Sequence, residues 1–146
     1  MIKIEYPAYT PLIGNRNNKD HIFDPFRKKW VLLTPEEWVR QHFLQFLTQS
    51  LYYPASLIAI EKKLMLGEMH KRFDIVVYDN NTKPWLVVEC KEMNVPLTEK
   101  TFQQALRYNS GLLAEYIVIT NGNYCMAFKR DGNTFLEINN LPKVNA

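Results

Sequence analysis

Two apolar runs separated by turn residues form the clearest pattern in the chain. Residues 74–78 and 85–91 are rich in β-branched and other apolar side chains, whereas residues 79–84 include Asp, Asn and Pro. This pattern predicts a β-hairpin. Because side chains alternate across a strand, Glu89 and Lys91 share one face. Antiparallel pairing then places Asp74, at the start of the first strand, near both of them.

Two helices are predicted, one before and one after this hairpin. Thr34, Pro35 and Glu37 are the residue types favoured at the N-cap, first and third positions of a helix, and this helix should end near residues 52–54. Thr98 is expected to cap the second helix. Its core face is predicted to comprise Phe102, Ala105, Leu106, Asn109, Leu112 and Leu113.

The remaining apolar runs predict further strands. Residues 22–24 and 30–33 are read as short strands, and residues 57–66 as a strand that pairs with the hairpin. The last three predicted strands are residues 116–120, 124–128 and 134–138. Residues 1–21 are expected to form an irregular N-terminal arm and residues 22–146 a single domain. The fold class is therefore α/β (α+β), a mixed central sheet flanked by helices.

The predicted meeting of Asp74, Glu89 and Lys91 suggests a specific chemistry. Two neighbouring carboxylates suit Mg²⁺, which binds through one or two such groups and keeps several waters. A bound metal acidifies water and neutralises charge on a phosphate, and a lysine can orient the attacking water or hold a phosphate oxygen. Glu-x-Lys is a common spacing, however. The alternative from these residues alone is a hairpin whose Glu–Lys pair is a solvated ion pair.

Composition and charge narrow the class of protein. The 146 residues are 47% hydrophobic and 23% charged, typical of a soluble globular domain, and the formal charge of +3 permits nucleic-acid binding without arguing for it. Cys90 and Cys125 form no Cys-x-x-Cys sequence, which favours a reducing, cytoplasmic setting. No signal peptide is recognised, and no run approaches the about 20 apolar residues of a membrane span.

A combination of motifs covers the predicted site. An aspartate, a Glu-x-Lys sequence and a helical Gln-x-x-x-Tyr sequence occur in order, at Asp74, Glu89, Lys91, Gln104 and Tyr108. Together they resemble the PD-(D/E)XK nuclease superfamily, in its branch with a Gln-x-x-x-Tyr helix. The amino-acid sequence at residues 34–40, 71–77, 87–91 and 120–122 is also similar to the family named for the N-terminal domain of type I restriction enzyme R proteins. The resemblance covers roughly residues 20–130, with Phe73 in place of the superfamily's proline.

The resemblance implies a restriction-endonuclease-like fold and Mg²⁺-dependent cleavage of DNA, with Mn²⁺ as a substitute. Asp74 and Glu89 would be metal ligands and Lys91 the catalytic lysine. Gln104 and Tyr108 would position the scissile phosphate or the DNA backbone. DNA is thus the expected partner, and a dimer is compatible with cutting both strands. Because the chain has no Walker-type sequence, a partner subunit would carry any motor or specificity function.

Several residues keep two interpretations. Glu37 matches the acid of the family's first helix, but it also fits a reciprocal capping box with Thr34. Glu61, in a neighbouring strand, is an additional candidate for the site. Lys71 and Arg72 are weak candidates for nucleic-acid contact, since such pairs are more often solvated strand ends. The function itself has an alternative, a catalytically silent nuclease-fold module that binds nucleic acid or a partner protein.

Overall fold

The predicted hairpin lies in a seven-stranded mixed sheet. The structure is a computed structural model and describes residues 1–144. In chain order its elements are β1 (Ile2–Lys3), β2 (Ile13–Arg16), β3 (Lys19–Asp24), β4 (Lys29–Leu32), α1 (Pro35–Gln45), β5 (Ile58–Leu66), β6 (Met69–Tyr78), β7 (Pro84–Cys90), α2 (Glu99–Tyr108), β8 (Tyr116–Thr120), β9 (Tyr124–Asp131) and β10 (Thr134–Ile138). A π-helical turn, Phe46–Ser50, extends α1, and a 3-10 turn, Ala55–Leu57, leads into β5.

The strand order confirms that residues 57–66 pair with the hairpin and that the sheet is mixed. The large sheet runs β1-β9-β8-β7-β6-β5, with β10 also paired to β9, while β2, β3 and β4 form a separate antiparallel sheet. β7 and β8 are parallel because the α2 crossover connects them, and the other pairs among the described strands are antiparallel. The fold is a restriction-endonuclease-like α+β architecture.

The two helices cover opposite faces of the large sheet. α1 packs Val39 and Phe43 into one core with Val88, whereas α2 packs Ala105 into a second core with Val87. β7 is therefore apolar on both faces, and Leu86, Val87 and Val88 are fully buried. Glu89, near the end of β7, and Lys91, just after it, interrupt this apolar run, so the strand places them at the edge of the core.

Helix capping explains where both helices begin. Thr34 Oγ1 accepts a hydrogen bond from the Glu37 backbone N–H at 3.0 Å, as predicted. The Glu37 carboxylate does not return to Thr34 but bonds to Arg27, Arg40 and Gln41, so the reciprocal capping box is wrong. A capping box does form at α2, where the Thr98 backbone N–H donates to Thr101 Oγ1 at 3.1 Å.

The N-terminal residues differ from the expected irregular arm. β1 pairs with β9 through Ile2 and Cys125, and β2 pairs with β3. Ile4 is buried, and the Tyr6 hydroxyl donates to the Gly122 carbonyl. The pairing of β1 and the Tyr6 hydrogen bond join residues far apart in the chain, so the local pattern of prolines and polar residues could not indicate them. The β2–β3 pairing is a local hairpin, with Asn17 and Asn18 at positive φ in its turn.

The second helix is shorter than its apolar pattern suggested. α2 ends at Tyr108, and Leu113, predicted to face the core, is 87% exposed. Leu112 is buried as expected. Asn109 is also buried, but it lies at the C-terminal cap and bonds to polar groups of the candidate site instead of contributing apolar surface.

Candidate active site

Asp74 and Glu89 lie where the β6–β7 ladder ends. Ile75 pairs with Val88, and the two acids are the next residues outward from that pair. Asp74 is the sixth residue of β6 and not its first, as the sequence suggests, because residues 69–73 extend β6 along β5. Glu61, on β5 between the flanking pairs, has a φ of 53°, so β5 departs from regular strand geometry beside Asp74.

Asp74 is held by a backbone amide and an arginine. Its Oδ2 accepts from the Cys90 N–H at 2.7 Å, and its Oδ1 accepts from Arg40 Nη1 at 3.4 Å. Burial raises the pKa of the Asp74 carboxyl, and these two donors only partly oppose the rise. The nearby Glu36 and Glu89 carboxylates raise this pKa further. A cation placed at Asp74 would therefore stabilise the ionised carboxylate.

Asp74 belongs to a group of charged side chains, here called the acid–arginine cluster, that joins α1, β5, β6 and the β3–β4 turn. Its members are Asp24, Arg27, Glu37, Arg40, Glu61 and Asp74. Four carboxylates and two guanidinium groups leave the cluster with a net negative charge. Arg40 is its centre, because its guanidinium contacts Glu37 at 2.7 Å, Glu61 at 3.2 Å and Asp74 at 3.4 Å.

Glu37 is placed in this cluster as an internal anchor. It is buried, and its two oxygens accept hydrogen bonds from Arg27, Arg40 and Gln41. Burial alone would raise the pKa of Glu37, but the hydrogen bonds from Arg40 and Gln41 outweigh it, and the net pKa is lowered. The carboxylate thus lies toward the acidic site, as its second interpretation held, and reaches Asp74 through Arg40.

The other predicted residues meet in a cavity of about 130 Å³ between β7 and α2, here called the α2 cavity. Glu89, Lys91, Gln104 and Tyr108 all line it. Lys91 is the first residue after β7, and its backbone N–H donates to the Thr120 carbonyl of β8 at 2.7 Å. Asp74 is not among the lining residues. The structure therefore brings four of the five principal candidates together, with Asp74 beside Glu89 on the side of α1.

Two further polar residues complete the cavity. Lys71 Nζ lies 2.6 Å from Glu89 Oε1 and 3.0 Å from Asn109 Oδ1. The Asn109 amide donates to the Ala105 carbonyl and approaches Glu89 Oε1 at 3.5 Å. Lys71 was only a weak candidate and Asn109 was assigned to the core. A polar residue on an otherwise apolar helix face was the available signal for Asn109. Arg72 is exposed and forms no salt bridge within residues 1–144.

The donor set fits a hard cation with few protein ligands. Within residues 1–144, no group of three or more His, Cys, Asp or Glu side chains is arranged to hold a metal. A closed zinc site, which needs four such ligands, is therefore not formed by the described residues. Two carboxylates do suit Mg²⁺, which keeps several waters. In both carboxylates an oxygen already contacts a basic side chain, Lys71 or Arg40, with which a metal would compete.

Comparison with known sequences identifies the protein family of the chain. Residues 35–142 match the family described as type I restriction enzyme R protein N terminus (HSDR_N). The chain belongs to this family. The matched segment begins at the first residue of α1 and extends past β10, so it contains all of the predicted site residues. The resemblance to this family that the motifs indicate is confirmed, and the chain is related to restriction enzymes.

Other comparisons add little. One solved structure with some similarity is described as the type IIG restriction endonuclease BpuSI, at 20% sequence identity and a TM-score of 0.44. The alignment covers 68% of this chain and 12% of that enzyme, so the chain spans only a small part of its length. A comparison with curated proteins finds no match. No helix in residues 1–144 is long and apolar enough to cross a membrane.

Proposed function

We propose that this chain is a metal-dependent nuclease of the PD-(D/E)XK type that hydrolyses phosphodiester bonds in DNA. The observation that carries the proposal is the α2 cavity, where Glu89, Lys91, Gln104 and Tyr108 converge, with Asp74 adjacent to Glu89. A carboxyl group at the position of Asp74 is difficult to explain structurally, since burial and the nearby Glu36 and Glu89 carboxylates raise its pKa and disfavour its charged form. A nuclease has a use for it.

Each residue has a distinct role in this proposal. Asp74 and Glu89 would hold Mg²⁺ or Mn²⁺, which when bound supplies an acidified water and neutralises charge on the phosphate. Lys91 would orient the attacking water or hold a phosphate oxygen through its ammonium. Gln104 and Tyr108, one helical turn apart on α2, would donate hydrogen bonds to the DNA backbone.

The neighbouring polar groups would orient the two ligands. Asn109 and Lys71 restrict the position of the Glu89 carboxylate, and Arg40 with the Cys90 N–H restricts that of Asp74. Glu37 and Glu61 contribute through Arg40, so we assign them positioning roles and not metal ligation. This arrangement corresponds to the supporting contacts that orient metal ligands in other proteins.

DNA is the proposed partner, together with a separate subunit that carries motor or specificity functions. The family is named for the R protein of type I restriction enzymes, which supports this assignment. Cys90 and Cys125 are both free and buried, which suits a reducing cytoplasm. We also propose a dimer, because cutting both strands of a duplex usually takes two sites.

One observation favours a catalytically silent binding module as the second candidate. Lys71 lies 2.6 Å from Glu89 and Arg40 lies 3.4 Å from Asp74, so each carboxylate is already neutralised in part by the protein. In such a module the charged groups would serve stability, and DNA or a partner protein would bind without being cut.

The two candidates are separated by a cleavage assay. Supercoiled plasmid and single-stranded DNA are incubated with the wild-type protein in Mg²⁺, Mn²⁺ or EDTA, beside Glu89→Gln. The matched control is Glu68→Gln, since Glu68 is an exposed acid in the β5–β6 turn. We expect metal-dependent cutting that only Glu89→Gln abolishes. A folded protein that binds DNA but cuts neither substrate in any metal would support the binding module and overturn the nuclease.

A further inference from the structure

We propose that a groove beside the α2 cavity binds an unpaired nucleic-acid strand and leads it to the site. The groove has a volume of about 630 Å³ and lies between the start of β6 and the C-terminal end of α2. It is defined here by Met69, His70, Lys71, Arg107 and Tyr108 and is called the hairpin groove. The inference rests on the proposed function, since it supplies a path to the proposed scissile phosphate.

The hairpin groove adjoins the candidate site through shared residues. Lys71 and Tyr108 line both the groove and the α2 cavity. Lys71 therefore stands between the Glu89 carboxylate and the groove, with its ammonium 2.6 Å from Glu89 Oε1. A strand lying in the groove would reach Glu89 and Lys91 without crossing another element of the fold.

The charge of the groove suits a polyanion. Arg107 contributes positive charge, His70 adds a ring nitrogen, and no Asp or Glu is among the described residues that line the groove. The positive charge of Lys71 is partly offset by Glu89, 2.6 Å away. The Arg107 side chain forms no hydrogen bond or salt bridge within residues 1–144, and it is exposed. An unpaired guanidinium at the edge of a groove can bind a phosphate through two parallel hydrogen bonds.

The apolar side chains of the groove favour an unpaired strand over a duplex. Tyr108 is 60% exposed and presents an aromatic ring on which a base could stack, and Met69, 74% exposed, adds apolar surface that a base could contact. Only unpaired bases present their flat faces, because those of a duplex are stacked inside the helix. Phosphate contacts with exposed stacking surfaces are the usual means by which proteins hold single strands.

The walls of the groove are held together by a close backbone contact. A Cβ on Gly111, after α2, would lie 3.1 Å from the Gly67 nitrogen and 3.2 Å from the Leu66 carbonyl carbon. Glycine at this position therefore lets the chain after α2 touch the β5–β6 turn. This contact fixes one end of the groove, so its shape belongs to the fold and does not depend on the conformation of a loop alone.

The test is fluorescence anisotropy of labelled single-stranded and duplex oligonucleotides, in EDTA so that nothing is cut. The variants are Arg107→Gln and Met69→Ser, with Lys100→Gln as the matched control, because Lys100 lies on the same helix as Arg107, is exposed and lines neither the groove nor the α2 cavity. We expect the wild type to prefer the single strand. Arg107→Gln should weaken that binding about tenfold, the size of one charge-assisted hydrogen bond, and Lys100→Gln by less than about twofold.

The outcomes distinguish this inference from the proposed function. Met69→Ser should weaken binding of the single strand and leave duplex binding unchanged. Equal losses in Arg107→Gln and Lys100→Gln, or a wild type that prefers duplex, would overturn the groove even if the protein cuts DNA. Selective losses in the two groove variants would support it even if the wild type cuts nothing. Circular dichroism of each variant verifies that these exposed substitutions leave the fold intact.

Discussion

Replacing Lys71 with methionine should tighten metal binding at the candidate site. In the structure the Lys71 ammonium lies 2.6 Å from Glu89 Oε1, one of the oxygens that would ligate the metal. A divalent cation on this carboxylate must displace the ammonium or accept its repulsion. Methionine keeps much of the length and apolar stem of lysine and removes the charge, so the substitution changes mainly the electrostatics.

The magnitude follows from the exposure of the pair. The side chains of Lys71 and Glu89 are 31% and 20% exposed, so solvent screens their interaction only in part. Two unit charges 4 Å apart interact by about 4 kcal/mol at an effective dielectric constant of 20. Partial screening and the freedom of lysine to swing away reduce this to about 1–2 kcal/mol. Metal affinity should therefore increase by about 5- to 30-fold.

Isothermal titration calorimetry with Mn²⁺ measures this change. Arg72→Met is the matched control, since Arg72 is the next residue along β6, is exposed and forms no salt bridge within residues 1–144. Its Mn²⁺ affinity should equal that of the wild type. An unchanged or weaker affinity in Lys71→Met would refute the reasoning, because it would mean that the lysine does not compete for the ligand oxygen.

Three further predictions concern stability and reactivity. Arg40→Met should lower the free energy of unfolding by about 3 kcal/mol, because it leaves the buried Glu37 carboxylate without its main partner; a loss under about 1 kcal/mol in urea denaturation would contradict this. Burial raises the pKa of Asp74, so the folded state favours the protonated carboxyl group. Protonated Asp74 therefore stabilises the folded state in acid, and this stabilisation is lost as the pH rises through the pKa of the unfolded state and then that of the folded state. Asp74→Asn should therefore raise the melting temperature at neutral pH and lose this advantage in acid, whereas a lower melting temperature at neutral pH would oppose the assignment. Burial also raises the pKa of Cys125 to about 12 and that of Cys90 well above its ordinary value, so a thiol reagent should label neither cysteine until the protein is unfolded; fast labelling of the native protein would show that the thiols are accessible.

Local signals explain which elements the sequence could predict. Thr34 and Thr98 indicate where α1 and α2 begin, because helix capping depends only on neighbouring residues. The apolar run of β7 is followed by Glu89 and Lys91, and this break in the pattern identified both as site candidates. Both signals act within a few residues, so a single sequence contains all the information that they require.

The remaining features depend on contacts between distant segments. In the sequence nothing distinguishes Arg40 from other polar residues of α1. In the structure it contacts Glu61 and Asp74, which is 34 residues away. Lys71 looked like a solvated strand end, and its partner Glu89 is 18 residues away. The extension of β6 through residues 69–73 arises from pairing with β5, so Asp74 lies in the middle of the strand and not at its predicted start.

The most direct test of the nuclease assignment is the single-turnover rate of DNA cleavage by Lys91→Ala in Mn²⁺. Lys91 lines the α2 cavity and is neither a proposed metal ligand nor buried, so its loss should leave the fold and Mn²⁺ binding unchanged. The control is Lys100→Ala, an exposed lysine on α2 that does not line the cavity. We predict metal-dependent cutting by the wild type and by Lys100→Ala. The rate in Lys91→Ala should be lower by a factor of about 100 or more. Cutting by Lys91→Ala at the wild-type rate would contradict the catalytic site assigned to this domain.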